Sequence, residues 1–395
     1  MENIFDISST ILITCPKRIG AILAKEVEEA GFQVKELMMG AETQGTMRDC
    51  IALNLSLRTA HRVLFLLKKF YAKTPEELYR KIMEIEWEKY LDPDGYFSVI
   101  SFVDNEAIND TRFASLKCKD AIADRMMQAF KRRPDSGPDK HKAVINLHWR
   151  DNEASIYIDT SGETIAKHGY RKIPFRAPLQ ETLAAAIIKS TKWTPDQNFI
   201  NPMCGSGTLA IEAAMIATGR YPGLLRSNFS FMHITGFDSE VYETIRKEVR
   251  AKAISNVKGR IIASDNDPIA IDAAKRNTAT AGMQHIVEYE TCDFQDAELP
   301  EGGGVVIFNP EYGERLGDES ELEAVYKSIG DFFKQKCKGY TGYIFTGNMN
   351  LAKKVGLKSK RRIEFYNGQI DCRLIEFELY EGSKREKPAE DNKAQ

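Results

Sequence analysis

Three stretches of the chain carry side chains whose types and spacing suit the binding of a nucleoside. In FINPMCGSGTLAIEAA, a strand-like run meets a glycine-rich turn and then a helix-like run, so backbone N–H groups and a helix N-terminus can approach a polar ligand closely. Asn201, Met203, Cys204, Gly205, Ser206, Gly207 and Thr208 fall on that turn. Gly205 and Gly207 with Ala210 also fit a dinucleotide fingerprint, and a simple tight turn is the plainer alternative. In IIASDNDPIAIDAAKRN, Asp265 closes a strand where a carboxylate can accept both hydroxyls of a ribose, and Asn266 follows it. The acid stands about sixty residues beyond the glycines, against roughly twenty in a dehydrogenase, and an insertion from about Gly219 to Lys258 accounts for the gap. Asp267, beside Pro268, reads as a helix N-terminal acid. In ETCDFQD, Asp293 and Phe294 end another strand; the acid can accept from an adenine amine or simply cap a loop.

The third stretch, FNPEYGERLG, has a different chemistry. Asn309 supplies an amide oxygen, Pro310 a carbonyl and Tyr312 an aromatic face, all at a strand's carboxyl end. Two such oxygens can accept the N–H groups of an exocyclic amine while the base stacks on the ring. A strand-to-loop turn is the alternative, and the two upstream stretches weigh against it.

These residues need elements to position them. Beyond residue 165, strand and helix patterns alternate: LQETLAAAIIKS, NFINP, a helix from Thr208, another over Glu240 to Ala253, RIIASD, a helix from Pro268, GVVIFNP, a helix over Leu322 to Lys336, and GYIFT. Alternation of this kind predicts a parallel, doubly wound α/β sheet with helical crossovers. RRIEFYNGQIDCRLIEFELY then reads as an antiparallel hairpin around Asn367 and Gly368. Before residue 165 the chain reads as α+β: a strand at ILIT, a helix over Ile19 to Ala30, strands over Phe32 to Met39 and Cys50 to Leu55, helices over His61 to Phe70, Pro75 to Ile85 and Lys117 to Phe130, the run YFSVISFV, and a hairpin from AVINLHW through ASIYIDTSG.

With these stretches in place, the chain resembles the THUMP-domain RNA methyltransferases, most closely the RlmL-type enzymes, over nearly everything before the tail. DTSGETIAKHGYRKIPFRAPLQETLAAAI resembles the family's linker and pre-catalytic segment, NPMCGSGT its cofactor loop and NPEYGERLG its target-amine loop. The resemblance implies a class I, Rossmann-like methyltransferase domain over 165–380, a THUMP RNA-binding domain over 45–164, a ferredoxin-like N-terminal part over 1–44 and a tail over 381–395. It implies S-adenosyl-L-methionine as cofactor, held by Pro178, Asn201, Met203, Cys204, Gly205, Ser206, Gly207, Thr208, Asp265, Asn266, Asp293, Phe294 and Asn309, and methyl transfer to guanine N2 of 23S ribosomal RNA with Asn309, Pro310 and Tyr312 at the amine. Two positions depart from the family pattern: Asn201 stands where an acid is usual, and Glu311 where a second proline is usual. A proline ring lost at 311 loosens the turn and adds a carboxylate that can face solvent or accept a guanine N–H.

The sulfonium of such a cofactor is already a strong electrophile, so transfer requires alignment of the amine more than acid–base help. Cys204 reads as loop packing, because a Pro-Cys dipeptide for attack on a pyrimidine is absent. The seven cysteines are scattered and never spaced as CxxC, which predicts reduced thiols and no metal site. Net charge is −2, so nucleic-acid affinity must come from local patches. Lys117 to Arg176 holds thirteen Lys and Arg against eight Asp and Glu, and within it Lys131, Arg132, Arg133, Lys167, Arg171, Lys172 and Arg176 are the RNA-binding candidates. A second cluster runs through Lys353, Lys354, Lys358, Lys360, Arg361 and Arg362; for each cluster a merely solvated face is the alternative. His61 and His148 read as structural. No apolar run is long enough to cross a bilayer, MENIFDISST lacks a basic leader, and EGSKREKPAEDNKAQ is too polar to order itself, so a soluble cytoplasmic protein with a disordered tail is expected. The competing functions are guanine-N2 methylation of transfer RNA, adenine-N6 methylation of DNA, and a non-catalytic RNA-binding or assembly protein.

Overall fold

A computed structural model describes residues 3–105, 108, 110–175, 178–312 and 319–379. The N-terminal half forms one mixed eight-stranded sheet from β1 (Ser9–Thr14), β2 (Val34–Leu37), β3 (Gly40–Gly45), β4 (Arg62–Tyr71), β5 (Tyr96–Asp104), β6 (Asp135–Ser136), β7 (Ala143–Arg150) and β8 (Glu153–Asp159). Its order is β2-β3-β1-β4-β8-β7-β5-β6. The helices are α1 (Gly20–Glu29), α2 (Met47–Ser56), α3 (Pro75–Met83) and α4 (Thr111–Phe130). Because β4 pairs with β1 on one side and β8 on the other, hydrogen bonding runs unbroken across the 44/45 division expected from the sequence.

Two elements differ in kind from expectation. Cys50 to Leu55, expected as a strand, lies inside α2, because Thr46 and Asp49 form a reciprocal cap: each backbone N–H is accepted by the other's side chain. His61 to Phe70, expected as a helix, is β4: its Leu- and Lys-rich sequence favours helix weakly, and pairing with two neighbours outweighs that preference.

The C-terminal half contains α5 (Glu181–Lys189), β9 (Asn198–Pro202), α6 (Thr208–Ala217), α7 (Ser239–Ala251), β10 (Ile261–Asp265), α8 (Pro268–Ala281), β11 (Val287–Thr291), β12 (Gly304–Phe308), α9 (Glu319–Lys336), β13 (Tyr340–Thr346), α10 (Met349–Lys354), β14 (Arg361–Asn367) and β15 (Ile370–Glu378). The sheet order is β11-β10-β9-β12-β13-β15-β14, with the first five strands parallel and β15 antiparallel to both its neighbours. The doubly wound sheet and closing hairpin expected from the sequence are therefore present. The chain runs outward from β9 to β11 and returns to β12 on the other side of β9. That reversal opens a crevice at the strands' carboxyl ends.

The two halves share a continuous apolar core that includes Ile11, Trp149, Phe199 and Ile211, while Phe308, Phe333 and Phe377 belong to a second cluster. The insertion after α6 helps dock them: a Cβ on Gly223 would lie 2.4 Å from the Leu55 Cα, so only glycine permits this approach. Buried polar groups seal the joint. Arg58 Nη2 donates to the carbonyls of Met215 (3.1 Å) and Arg220 (2.7 Å). The His168 ring nitrogens stand 2.7 Å from Glu212 Oε1 and 3.0 Å from the Arg58 carbonyl, and the Tyr170 hydroxyl donates to the same Glu212 oxygen at 2.8 Å. The linker is thereby fastened to α6, the helix that follows the glycine loop.

Candidate active site

The carboxyl ends of β9 to β12 form one wall of a cleft of about 1700 Å³. Pro178, Asn201, Met203, Cys204, Gly205, Ser206, Thr208, Asp265, Asn266, Asp293, Phe294 and Asn309 all line it, as do Pro310 and Tyr312; Gly207 lies just behind. Residues spread over more than a hundred positions of sequence thus converge, because parallel strands end side by side.

The glycine loop has a tightly specified backbone. Gly205 adopts φ 54° and Gly207 φ 81°, both left-handed. A Cβ on Gly207 would sit 2.8 Å from the Tyr289 hydroxyl and 3.0 Å from the Ala274 Cβ, whereas one on Gly205 would meet nothing within 4 Å. Gly207 is therefore required by packing, and Gly205 leaves open space on the cleft side. Met203 is also left-handed, at φ 54°, a conformation that costs a non-glycine residue about 1–2 kcal/mol. Asp265 anchors this loop: its Oδ2 accepts the Gly205 N–H at 2.9 Å and its Oδ1 the Asp267 N–H at 3.1 Å. Asp267 in turn caps α8 through the Ile269 N–H at 2.8 Å. Asp293 Oδ1 accepts the Gln295 N–H at 2.9 Å, so it closes its loop as well as lining the cleft. Burial, with Asp265 adding to it, pushes the Cys204 thiol well above its ordinary value. A neutral thiol is a poor nucleophile.

Asn201 is buried, and its Nδ2 donates to the Ile307 carbonyl at 3.0 Å, tying β9 to β12. A carboxylate could not donate that bond, which gives the asparagine a role of its own. Asn201 Oδ1 and Asn309 Oδ1 are both buried without a hydrogen-bond partner among the described residues. An orphaned acceptor costs about 1–3 kcal/mol unless a ligand satisfies it. Beside Asn309, the Tyr312 ring lies edge-on to Phe345, with centroids 6.2 Å apart. Its hydroxyl accepts from Asn367 Nδ2 at 2.8 Å, and burial pushes that hydroxyl well above the ordinary tyrosine range.

The opposite wall escaped sequence reading. Asn367, Ile370, Asp371 and Arg373 come from the closing hairpin, and Asn348 from the N-cap of α10. Asn367-Gly368 signalled a turn, but not that the turn folds back over the cleft. Among the cations, Lys131, Arg133, Lys167 and Lys172 are exposed, and Arg132 pairs with Asp94 at 2.8 Å across open solvent. Arg171 departs from the expected RNA surface: its guanidinium turns inward, donating to Thr208 Oγ1 at 2.9 Å and to the Leu179 carbonyl, with Glu181 at 3.5 Å. Arg176, the GERLG segment after Tyr312 and the tail lie outside the described residues. Half of the second basic cluster is paired, Lys354 with Glu323, Lys360 with Glu378 and Arg361 with Glu376. Among the described residues no group of His, Cys, Asp and Glu could hold a metal, and no helix is long and apolar enough to cross a membrane.

Comparison with known proteins follows the same division. Residues 168–376 match the RMKL-like methyltransferase domain, 72–159 the THUMP domain and 10–64 the RlmL ferredoxin-like domain. The chain is 35% identical over 380 residues to ribosomal RNA large subunit methyltransferase K/L of Syntrophotalea carbinolica, covering 93% of this chain and 53% of that protein. It therefore spans about half the length of the K/L relatives it matches. A protein of Synechocystis sp., provisionally named an RNA methyltransferase, is 32% identical over 93% of this chain and 96% of its own length. The crystal structure of SMU.472, provisionally named a methyltransferase and complexed with SAH, superposes with a TM-score of 0.87 at 28% identity, covering 97% of this chain and all of that one.

Proposed function

The chain belongs to the RMKL-like methyltransferase family with THUMP and RlmL ferredoxin-like domains, and from that premise we propose that it transfers a methyl group from S-adenosylmethionine to the exocyclic N2 amine of a guanine in 23S ribosomal RNA. The observation that carries the reading is the buried Oδ1 of Asn309, without a hydrogen-bond partner among the described residues, on the cleft formed by the ends of β9 to β12.

The cofactor fits the residues present. Open space over Gly205, the Asp265 carboxylate beside it and the unpartnered Asn201 Oδ1 form a polar cradle at the crevice where a nucleoside belongs. Pro178, Met203, Asn266, Asp293 and Phe294 complete its lining. When bound, the cofactor supplies an electrophilic methyl group. The protein's own work is to align the amine. Asn309 Oδ1 and the Pro310 carbonyl accept its two N–H groups, which favours a pyramidal nitrogen with its lone pair directed at the methyl carbon. Tyr312, held by Asn367, presents its ring to the base. Water takes the proton released after transfer, so no dedicated base is needed.

The deciding experiment is mass spectrometry of rRNA and tRNA nucleosides from a strain lacking the gene, paired with methyl transfer in vitro. Loss of N2-methylguanosine from 23S rRNA supports the proposal. Loss confined to tRNA moves the substrate, and a wild-type protein that binds cofactor yet methylates neither RNA defeats the catalytic reading.

A further inference from the structure

The lip of the cleft joins residues from opposite ends of the chain. Lys17 and Arg18 follow β1 in the N-terminal half, and both face Tyr366 on β14: the Lys17 ammonium stands 4.9 Å and the Arg18 guanidinium carbon 5.2 Å from the ring centroid. Arg18 also pairs with Glu364. Arg373, on β15, pairs with Glu364 at 3.3 Å and Asp371 at 2.5 Å. Asp371 and Arg373 line the cleft, and Arg18 of the N-terminal half reaches its rim through Glu364, which it shares with Arg373. Arg373, with Arg18 and Lys17 beyond it, holds the Asp371 carboxyl below its ordinary range.

The arrangement differs from an ordinary charged surface in two ways. Arg18 has a left-handed backbone, φ 69°, which an arginine adopts only when its surroundings impose it. Lys17 has no ion-pair partner among the described residues, although it is exposed and held over an aromatic ring. By contrast, Lys354, Lys360 and Arg361, which the sequence presents as a denser basic run, are paired with acids. Glu364 and Asp371 fix the guanidiniums without exhausting them, since each guanidinium has five N–H donors.

The geometry points to this lip, formed by Lys17, Arg18 and Arg373 around Tyr366, as the surface that grips the RNA phosphodiester backbone beside the target nucleotide. The inference rests on RNA being the substrate. A base whose amine reaches Asn309 has left its stack, so its flanking phosphates emerge at the mouth of the cleft, where these cations stand. Tyr312 is bonded to Asn367, the residue after Tyr366, so the grip is one residue removed from the group that holds the base. Cations already immobilised against a ring or a carboxylate lose little further freedom when they meet a phosphate.

The test compares Lys17→Glu, Arg18→Ala and the Lys17→Ala/Arg18→Ala pair with wild type on transcribed 23S rRNA fragments. Binding is measured by filter retention over a range of salt, alongside single-turnover methyl transfer and calorimetry with S-adenosylhomocysteine. The variants are expected to raise the RNA Kd about fivefold or more, and the pair to flatten the log–log salt slope by about 1.4. Transfer at saturating RNA and affinity for S-adenosylhomocysteine should stay within about twofold. Lys17→Glu guards against misfolding, because Lys17 is exposed and makes no ion pair among the described residues. Unchanged RNA affinity in folded Lys17→Glu and in the pair overturns the inference, as does a slower saturated rate with unchanged affinity, which would make the loop a prop for the hairpin. A wild type that binds RNA without methylating it sinks the proposed reaction and leaves the lip to be judged by binding alone.

Discussion

Asn367 Nδ2 donates a 2.8 Å hydrogen bond to the Tyr312 hydroxyl, tying the loop after β12 to the turn of the β14–β15 hairpin. The Cys372 thiol lies 3.7 Å from the same oxygen, and a Cβ on Gly347 would come within 3.0 Å of the tyrosine ring. Tyr312 is therefore clamped as well as presented. Tyr312→Phe keeps the ring and loses one bond, about 0.5–1.5 kcal/mol, so methyl transfer should slow less than about tenfold. Tyr312→Ala should slow it far more. Equal losses in single-turnover assays would mean that the hydroxyl, not the ring, serves the reaction.

Asn309 and Glu311 should respond in opposite ways. Asn309→Ala removes the unpartnered acceptor and is expected to cost about 2–4 kcal/mol of transition-state stabilisation. Glu311→Pro should keep or raise activity if the carboxylate merely stands where a ring would stiffen the turn. A carboxylate that accepts from the guanine would show otherwise: Glu311→Pro and Glu311→Gln would both lose rate.

Asp265 holds two backbone N–H groups of its own loop, so its replacement loosens the cradle as well as removing an acceptor. Asp265→Ala is expected to weaken binding of S-adenosylhomocysteine by about 1–3 kcal/mol. Titration calorimetry checks it, and full affinity in a folded variant would remove Asp265 from the cofactor site.

The Cys204 thiol, raised by burial and by Asp265, should stay protonated through pH 8. It should resist iodoacetamide in the folded protein, and Cys204→Ser should retain most of the transfer rate. Rapid labelling read by peptide mass spectrometry would contradict the neutral, packing role.

Lys131, Arg132 and Arg133 lie at and just past the end of α4, with Lys131 in the left-handed capping position. Neutralising all three should reduce the RNA salt slope by about two units if each meets a phosphate. The exposed pair of Arg132 with Asp94 is worth too little to prevent this. An unchanged slope would make the cluster a solvated face.

Local signals were enough for the glycine-loop side of the cleft. Gly205, Gly207 and Asp265 were legible because a turn with left-handed residues and an acid at a strand end are properties of short segments, and parallel strands bring such ends together with little ambiguity. Asp267 next to Pro268 announced its cap for the same reason. Cys50 to Leu55 shows a local signal that was present but unread, since Thr46 and Asp49 spell the start of a helix. β4 shows the opposite case, in which no local preference identifies the strand and only pairing with β1 and β8 decides it.

What the sequence determined by itself was the order of elements in the C-terminal half, the glycine loop and the identity of Asn309, Pro310 and Tyr312 as a group at a strand end. Tertiary structure alone decided which side chains face them. Arg171 reads as one more cation in a basic segment until Thr208, Leu179 and Glu181 surround its guanidinium. Lys17, Arg18, Tyr366 and Arg373 share no local pattern, and they meet only because the N-terminal sheet docks beside the closing hairpin. Periodicity and capping act over a few residues, whereas burial, ion pairing and access to a cleft depend on packing between segments far apart in the chain.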